Sequence, residues 1–288
     1  MGEELWKACS DGKVEEVIKL LKDQRVDVNQ ADSYGWTALY IACSKGHVDI
    51  VKLLLNNSIM DMNKVDNNDQ TSFYIACEKG YTEVVKLLLN DNRVEINQAN
   101  KESETPFWKA CYEGHFDIVR LLLNDNRVDA NKANNYKVTP FYIACSRGHI
   151  DIVKLLLHDE RININQGDKY GWTPFYFSCY QGDIEIMELL LNDNRVDINK
   201  TDNKGWTLFL TACQNGKTEL VEHLLESERE IDINIKDGDG KTGLDWAREQ
   251  ENTDIVELIE SFQQNPNETR TKLKKGLASG NFILSNFK

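Results

Sequence analysis

The chain repeats itself about every 34 residues, and this periodicity restricts its fold more than any other feature. Each copy begins with a Thr, and these residues are Thr37, Thr71, Thr105, Thr139, Thr173, Thr207 and Thr242. Self-similarity at this length is typical of a solenoid, in which each unit buries its apolar face only against its neighbours. The sequence therefore predicts one elongated repeat domain, although 288 residues would otherwise suggest roughly two globular domains.

The copy at residues 134–165 indicates how each unit folds. Thr139 and the Pro after it begin a first helix, because the hydroxyl accepts a backbone N–H and Pro lacks the N–H that would be unpaired there. Gly148 ends this helix, since Gly adopts positive φ freely. An apolar second helix follows over residues 150–157, and the returning loop ends at Asn165, whose amide is expected to bond to nearby backbone. Such a helical pair needs neighbouring copies to cover its apolar side.

These residues give the chain a resemblance to the ankyrin-repeat family. Thr-Pro-Phe-Tyr-Ile-Ala at residues 139–144 is similar to the family pattern Thr-Pro-Leu-His-x-Ala. Two departures are an aromatic residue at the usual His position, as at Tyr142 and Trp108, and loss of the Pro, as at Ala38. The resemblance extends over about residues 3–262. It implies an all-α ankyrin-repeat solenoid of helix-turn-helix units with β-hairpin-like finger loops.

Composition divides the chain into four predicted parts. Residues 1–28 and 237–262 are expected to be capping repeats, because they carry polar side chains where a further copy would otherwise dock. Residues 29–236 between them contain six internal repeats. Residues 263–288 differ in composition and form a basic C-terminal tail.

The basic tail has two alternative interpretations. In the first, residues 263–288 are a flexible basic end. In the second, apolar side chains near the C-terminus dock on the acidic array or on a partner. These side chains are Phe282, Ile283, Leu284 and Phe287.

The cysteines indicate an intracellular protein without disulfides. All seven occupy one repeat position and are Cys9, Cys43, Cys77, Cys111, Cys145, Cys179 and Cys213. Equivalent atoms of stacked helical units lie roughly 10 Å apart, whereas a disulfide requires Cα atoms within about 7 Å. We therefore expect no disulfide and no shared metal. The N-terminus lacks a signal-peptide layout and no apolar run is long enough for a membrane span. The predicted location is cytoplasmic, with the nucleus as the alternative.

The net charge of −13 limits the class of partner. Binding to a phosphate backbone relies on clustered Lys and Arg, and an acidic protein repels both nucleic acid and anionic membranes. We expect a neutral or basic protein partner, with no nucleic acid, no membrane and no cofactor. A monomer is expected.

Catalytic motifs are not found in the sequence. Gly238–Thr242 is similar to the end of a phosphate-binding loop, but Ile235 stands where the first Gly is required. His47, His115 and His149 share one repeat position, so they would not converge on one metal ion. Every Cys is a core position, which leaves no nucleophile beside a base. The sequence predicts no catalytic residue and no metal ligand.

Partner recognition is expected at positions that vary between repeats. In ankyrin-like arrays these positions are the finger tips and the ends of the first helices, which line the concave side. Aromatic residues, which are frequent interface hot spots, concentrate there late in the array. The predicted partner-binding residues are Tyr112, Tyr136, Tyr170, Trp172, Tyr180 and Trp206, with Trp36 as an outlier. The alternative for each Trp is that it only packs on a neighbouring loop or a Lys stem, or that tandem duplication copied it without selection for contact.

The resulting functional prediction is an adaptor or scaffold that presents a concave surface to another protein, without catalysis. One alternative is a sensor of a small ligand or oligonucleotide, whose finger aromatics stack on a base. That function requires basic residues beside Trp172 or Trp206, for which Arg147, Lys169 and Lys204 are the candidates. Another alternative is an inhibitor or effector that blocks a host enzyme through the same surface.

Overall fold

The computed structural model describes residues 2–278 and consists of helices joined by loops. Within this range there are seventeen helices and no strand, and an isolated antiparallel bridge joins Ala31 and Thr37. The all-α class expected from the sequence is confirmed. The described residues form two compact units, which divide between residues 162 and 163.

The first unit contains five helical pairs. Their helices are α1 (Gly2–Ser10), α2 (Val14–Leu21), α3 (Ala38–Lys45), α4 (Val48–Leu55), α5 (Ser72–Lys79), α6 (Thr82–Leu89), α7 (Pro106–Glu113), α8 (Phe116–Leu123), α9 (Pro140–Ser146) and α10 (Ile150–Leu157). The first helices α1, α3, α5, α7 and α9 contact one another in succession, as do the second helices. Within this unit, each helical pair therefore packs on the pair before it.

The second unit contains three helical pairs and one further helix. These helices are α11 (Pro174–Gln181), α12 (Ile184–Leu191), α13 (Leu208–Gln214), α14 (Thr218–Glu226), α15 (Gly243–Glu249), α16 (Thr253–Gln264) and α17 (Pro266–Ala278). First helix α13 packs on α15, and second helix α14 packs on α16. The additional helix α17 contacts both α14 and α16.

The local signals read from the sequence are present at both ends of the first helices. Each repeat Thr is the N-cap, and its side chain accepts the backbone N–H three residues later, at 3.1 Å for Thr105. Gly46 and Gly114 follow their helices with φ of 71° and 79°, the left-handed conformation that Gly adopts without a steric penalty. Six of these Thr residues are buried and also fill space in the core, whereas Thr242 is half-buried.

The loop Asn residues join successive repeats. Asn97 donates from Nδ2 to the carbonyl of Arg127 at 2.6 Å and accepts the backbone N–H of Asp129 at 2.9 Å. Both bonds recur at Asn29, Asn63, Asn165 and Asn199. The expectation of a bond to nearby backbone was wrong in one respect, because the acceptor lies in the following repeat. Each amide satisfies two backbone groups of its neighbour.

Arg residues of the same loops clip each repeat to the preceding one. Arg127 Nη2 donates to the carbonyl of Leu89, the last residue of α6, at 2.7 Å, and pairs with Asp125 at 2.6 Å. A cation at this position satisfies a terminal carbonyl and opposes the helix dipole. The hydrogen bond from Arg127 lowers the pKa of Asp125. The same clip recurs at Arg93 and Arg161.

One repeat lacks this clip, and restoring it is expected to stabilise the N-terminal helices. Ile59 stands at the Arg position and is 70 % exposed, so no guanidinium from it reaches the carbonyl of Leu21, the last residue of α2. Replacing Asn57 with Asp and Ile59 with Arg recreates the Asp–Arg pair. We expect a gain of about 1 kcal/mol, measured by urea denaturation and by amide exchange in α2.

A matched control separates the clip from an effect of charge. Ser58→Arg adds the same positive charge one residue earlier, where the side chain has different neighbours, and is expected to leave stability unchanged. An equal gain from the control, or no slower exchange in α2 of the double variant, would contradict the clip.

The tail differs in part from the expected flexible end. Within the predicted tail, residues 263–288, helix α17 begins after Asn265, whose side chain accepts the backbone N–H of Glu268 at 3.2 Å. A Pro at the first helical position adds a second start signal. The apolar residues Phe282–Leu284 and Phe287, which would dock in the second interpretation of the tail, lie outside the described residues.

Helix α17 docks on the end of the second unit through its basic side chains. Arg270 donates to the carbonyl of Leu225 at 3.3 Å, and its guanidinium lies 5.1 Å from the centre of the Phe262 ring. Lys274 pairs with Glu228 at 2.8 Å. Arg270 thus serves the end of α14 as the loop arginines serve the second helices of the first unit, although no repeat pattern predicts it.

Candidate functional site

An Asp or Asn at the start of each finger loop sets the direction of the loop. Asp168 accepts the backbone N–H groups of Tyr170 and Trp172 at 2.8 and 3.0 Å. The equivalent residues are Asp32, Asp66, Asn100, Asn134, Asp202 and Asp237. The sequence interpretation missed this role, which the recurrence of Asp or Asn five residues before each Thr would have revealed. The aromatic side chains at the tip of a finger are therefore held on a rigid loop.

Adjacent fingers are joined through main-chain groups. In the second unit, the backbone N–H of Asn203 donates to the carbonyl of Tyr170 at 2.9 Å, and its side-chain amide donates to the carbonyl of Lys169 at 2.9 Å. Gly171 has φ of 89° between the two aromatic tips. A Cβ atom on Gly171 would lie 2.7 Å from the backbone nitrogen of Asn203. The close approach of the fingers thus depends on this Gly.

Three of the predicted residues meet in the second unit, and we call Tyr170, Trp172 and Tyr180 the late patch. The ring centre of Trp172 lies 6.2 Å from that of Tyr170 and 5.6 Å from that of Tyr180. Trp172 also stacks on Tyr176, whose ring centre is 5.1 Å away. Tyr176 is buried, and its hydroxyl shares a hydrogen bond of 2.8 Å with the Thr211 hydroxyl. The patch therefore rests on a ring that is fixed in the core.

The members of the late patch differ in exposure. Tyr170 is 56 % exposed and Tyr180 is 59 % exposed, whereas Trp172 is half-buried. The Trp172 indole N–H points to the Asp202 carboxylate, with 3.4 Å between the nitrogen and the oxygen. Exposed aromatic rings around a supported Trp are the composition of an interface hot spot. Trp172 thus packs on neighbouring rings, and part of its surface is also open to solvent.

The other two predicted Trp residues pack on aromatic neighbours. Trp206 lies 5.2 Å from Trp246, which donates its indole N–H to Asp237 at 2.7 Å. Trp36, in the first unit, stacks on buried Tyr40 at 5.7 Å, and Tyr34 covers it at 5.3 Å. Both indoles are half-buried. Both rings therefore hold their finger loops in place, Trp36 against its own repeat and Trp206 against the next repeat.

The remaining predicted residues lie in the first unit. Tyr112 stacks on Trp108 at 5.4 Å, and two cations lie near its ring, Lys109 at 4.5 Å and Arg147 at 4.3 Å. It is half-buried as a result. Tyr136 is 49 % exposed at the tip of its finger. Of these two predicted residues, Tyr136 is thus exposed, and Tyr112 is covered by cations of the protein itself.

Aromatic residues at the family's His position form hydrogen bonds to the next repeat. Tyr74 is fully buried and donates its hydroxyl to Glu104 in the next finger at 3.2 Å. Trp108 donates its indole N–H to the carbonyl of Val138, also in the next finger, at 2.9 Å. Burial and the nearby carboxylate raise the pKa of Tyr74, so its hydroxyl stays protonated as a donor. In these two repeats, the departure from the family pattern couples the first helix to the following finger.

A cleft of about 510 Å³ lies between α11 and α13 in the second unit. Its lining includes Tyr180, Leu208, Asn215 and the edge of Cys179. Burial and the nearby charge of Asp183 raise the pKa of the Cys179 thiol. The thiol is therefore protonated at neutral pH and is a poor nucleophile. The cleft offers an aromatic face, apolar walls and an amide, which suit binding.

The repeat-locked His residues bond between repeats. His115 donates from Nε2 to the carbonyl of Glu78 at 2.9 Å, and His149 donates to the carbonyl of Tyr112 at 2.9 Å, since a carbonyl only accepts. Over residues 2–278, no three His, Cys, Asp or Glu side chains are grouped to hold a metal ion. In the same range, no helix is both long and apolar enough to cross a membrane.

Helical pairs that repeat about every 34 residues and stack on one another define a helical-repeat protein. The model of a known family, described as ankyrin repeats (3 copies), matches the chain at residues 5–100, 73–168, 107–202 and 175–270. The chain belongs to the ankyrin-repeat family. Ankyrin repeats are general protein–protein interaction modules, and the family is typically non-catalytic. No curated protein shows significant similarity to the chain.

Proposed function

We propose that this protein is a cytoplasmic adaptor or scaffold that binds another protein through the late patch and catalyses no reaction. The observation that carries the proposal is the pair of exposed rings, Tyr170 and Tyr180, set beside the supported indole of Trp172. Rigid aromatic side chains give up little conformational entropy on binding, so their burial contributes strongly to affinity. The Asp168 loop and the buried Tyr176 ring hold this arrangement before a partner arrives.

The proposed partner is a neutral or basic protein segment. The protein carries a net charge of −13, which attracts basic segments over long range and repels acidic ones. Carboxylates also lie next to the late patch, with Asp202 at 3.4 Å from the Trp172 indole nitrogen and Asp168 within the finger itself. Charge and aromatic surface therefore favour the same class of partner.

The nucleotide-sensor alternative has less support in the contacts of its candidate cations. Arg147 lies over the Tyr112 ring at 4.3 Å, and Lys169 lies over the Tyr170 ring at 5.0 Å. Both cations are thus already engaged by aromatic rings of the protein. A host-enzyme inhibitor would use the same surface as an adaptor, and the source of the captured partner distinguishes the two.

Removing both exposed Tyr rings of the late patch is expected to abolish partner capture. The double variant Tyr170→Ala, Tyr180→Ala loses two rings of the kind that contribute about 2 kcal/mol or more each as hot spots. We therefore expect at least about a tenfold decrease in the captured partner, measured by affinity capture and quantitative mass spectrometry. Circular dichroism checks that the helices are retained.

The matched control is an equally exposed Tyr in the other unit. Tyr34 is 62 % exposed at the tip of its finger, and Tyr34→Ala is expected to leave capture unchanged. Trp172 and Trp206 are left intact because their half-buried rings also support the fold. Full capture by the double variant, with an unchanged dichroism spectrum, would show that the late patch is not the binding site.

A further inference from the structure

Two repeats of this chain carry a Tyr at the end of the first helix, but the residues around the Tyr ring differ between them. Tyr112 and Tyr180 occupy the same position two repeats apart. In the first unit, the guanidinium of Arg147 lies 4.3 Å from the centre of the Tyr112 ring, and the Lys109 ammonium lies 4.5 Å from it. The chain thus fills the surroundings of Tyr112 with its own cations.

The corresponding cations are absent by sequence around Tyr180. Phe177 stands at the position of Lys109, and Asn215 stands at the position of Arg147. Within residues 2–278, no Lys or Arg lies over the Tyr180 ring, which is 59 % exposed. The cleft between α11 and α13 opens beside this ring, and Asn215 and Tyr180 both line it. An open space therefore lies where the other repeat holds a guanidinium.

The charges beside the cleft favour a cation from outside. The Asp183 carboxylate, at the start of α12, accepts the backbone N–H of Ile186 at 3.1 Å, and Asp202 lies beside Trp172. Lys217 also lines the cleft, but it is exposed, and its flexible stem lets the ammonium turn into water. The ring face, the carboxylates and the amide oxygen of Asn215 together suit a planar, weakly hydrated cation with several donors.

We propose that the Tyr180 ring and the adjoining cleft form a seat for an arginine side chain of the basic partner. The partner's guanidinium takes the place that Arg147 occupies over Tyr112, with its plane on the ring and an N–H group donating to Asn215. The inference rests on the proposed protein-binding function and adds the type of partner residue that the late patch binds. Arginine fits better than lysine, because a guanidinium stacks on the ring while it also forms hydrogen bonds.

The test uses defined peptides, so that no unidentified partner is needed. Fluorescein-labelled peptides with three Arg, three Lys or three citrulline residues, spaced by Gly and Ser, are titrated against the full chain by fluorescence anisotropy. The Arg peptide is expected to bind more tightly than the Lys peptide, and the uncharged citrulline peptide is expected not to bind. Equal binding of the Arg and Lys peptides, or no binding of the Arg peptide, would overturn the seat.

Variants of the two seat residues locate the binding. Tyr180→Leu removes the ring and is expected to weaken Arg-peptide binding about tenfold, whereas Tyr180→Phe keeps the ring and retains it. Asn215→Arg supplies an internal guanidinium, as in the earlier repeat, and is expected to weaken binding to a similar extent. Thr201→Arg is the control, because it adds the same charge at an exposed loop position away from the cleft lining.

The outcomes separate this seat from the proposed function. An equal loss of binding in Thr201→Arg and Asn215→Arg would mean that peptide binding depends only on the net charge of the protein. This result would overturn the seat. A partner captured through the late patch, without Arg-peptide binding, would overturn the seat and leave the proposed function intact. Failure of the late patch to capture a partner, with the peptide results as expected, would overturn only the proposed function.

Discussion

Gly171→Ala is expected to destabilise the protein by about 3 kcal/mol and to weaken partner binding at the same time. The new Cβ must accept φ of 89°, which costs about 1 to 2 kcal/mol for a residue with a side chain. It would also lie 2.7 Å from the backbone nitrogen of Asn203, which adds an overpacking cost of about 1 to 3 kcal/mol. Urea denaturation measures the loss of stability.

Gly240→Ala is the matched control for this substitution. Gly240 has φ of 78° in the equivalent turn of a later finger, but nothing lies within 4 Å of its added Cβ. Its expected loss is about 1 kcal/mol, from the backbone conformation alone. Equal losses for the two variants would show that the approach of Asn203 to Gly171 contributes nothing to stability.

The same contact explains the expected effect on binding. The Asn203 N–H donates to the carbonyl of Tyr170, so separating the fingers displaces the residue that begins the late patch. Gly240 lies outside the late patch, and its variant is expected to keep full partner capture. Substitution of Gly171 is therefore expected to lower both stability and partner binding, whereas substitution of Gly240 is expected to lower stability only.

The fold was predictable because its signals are local and recur in phase. Thr139 caps its helix and Gly114 ends its helix with positive φ as the pattern indicates, since each interaction is formed within a few residues of sequence. The clip of Arg127 was not predictable in the same way, because its acceptor on Leu89 is 38 residues away. The repeat period identifies equivalent residues, but it does not show which of their groups form hydrogen bonds between repeats.

The candidate site was predictable in kind but not in detail. Variation between repeats pointed to Trp172 and Tyr180, and the structure places their ring centres 5.6 Å apart. The pattern gave no sign that Trp206 would pack on Trp246, since that contact joins a finger to a capping helix with its own sequence. Helix α17 was missed for the same reason, because residues outside the repeat have no equivalent position from which to infer a contact.

Arg229→Ala is expected to be the most destabilising of the loop arginine substitutions, at about 2 to 3 kcal/mol. The guanidinium donates to four carbonyls of the preceding repeat, those of Leu191 at 3.1 Å, Asp193 at 2.7 Å, Asn194 at 3.4 Å and Val196 at 2.6 Å. Its removal leaves the end of α12 and the following loop without these donors. Arg229→Lys is expected to recover only part of the loss, because one ammonium does not span four acceptors.

Two other arginines at the same repeat position make this prediction a graded series. Arg127 donates to one carbonyl of the preceding repeat, so Arg127→Ala is expected to cost about 1 to 2 kcal/mol. Among the described residues, the Arg25 side chain pairs only with Asp23 at an exposed site, so Arg25→Ala is expected to have the smallest effect of the three on the free energy of unfolding. If urea denaturation gave the three variants equal losses, the positive charge alone would explain them. The expected order follows instead from the number of backbone carbonyls that each guanidinium binds, because those bonds cross from one repeat to the other and keep stacked copies together.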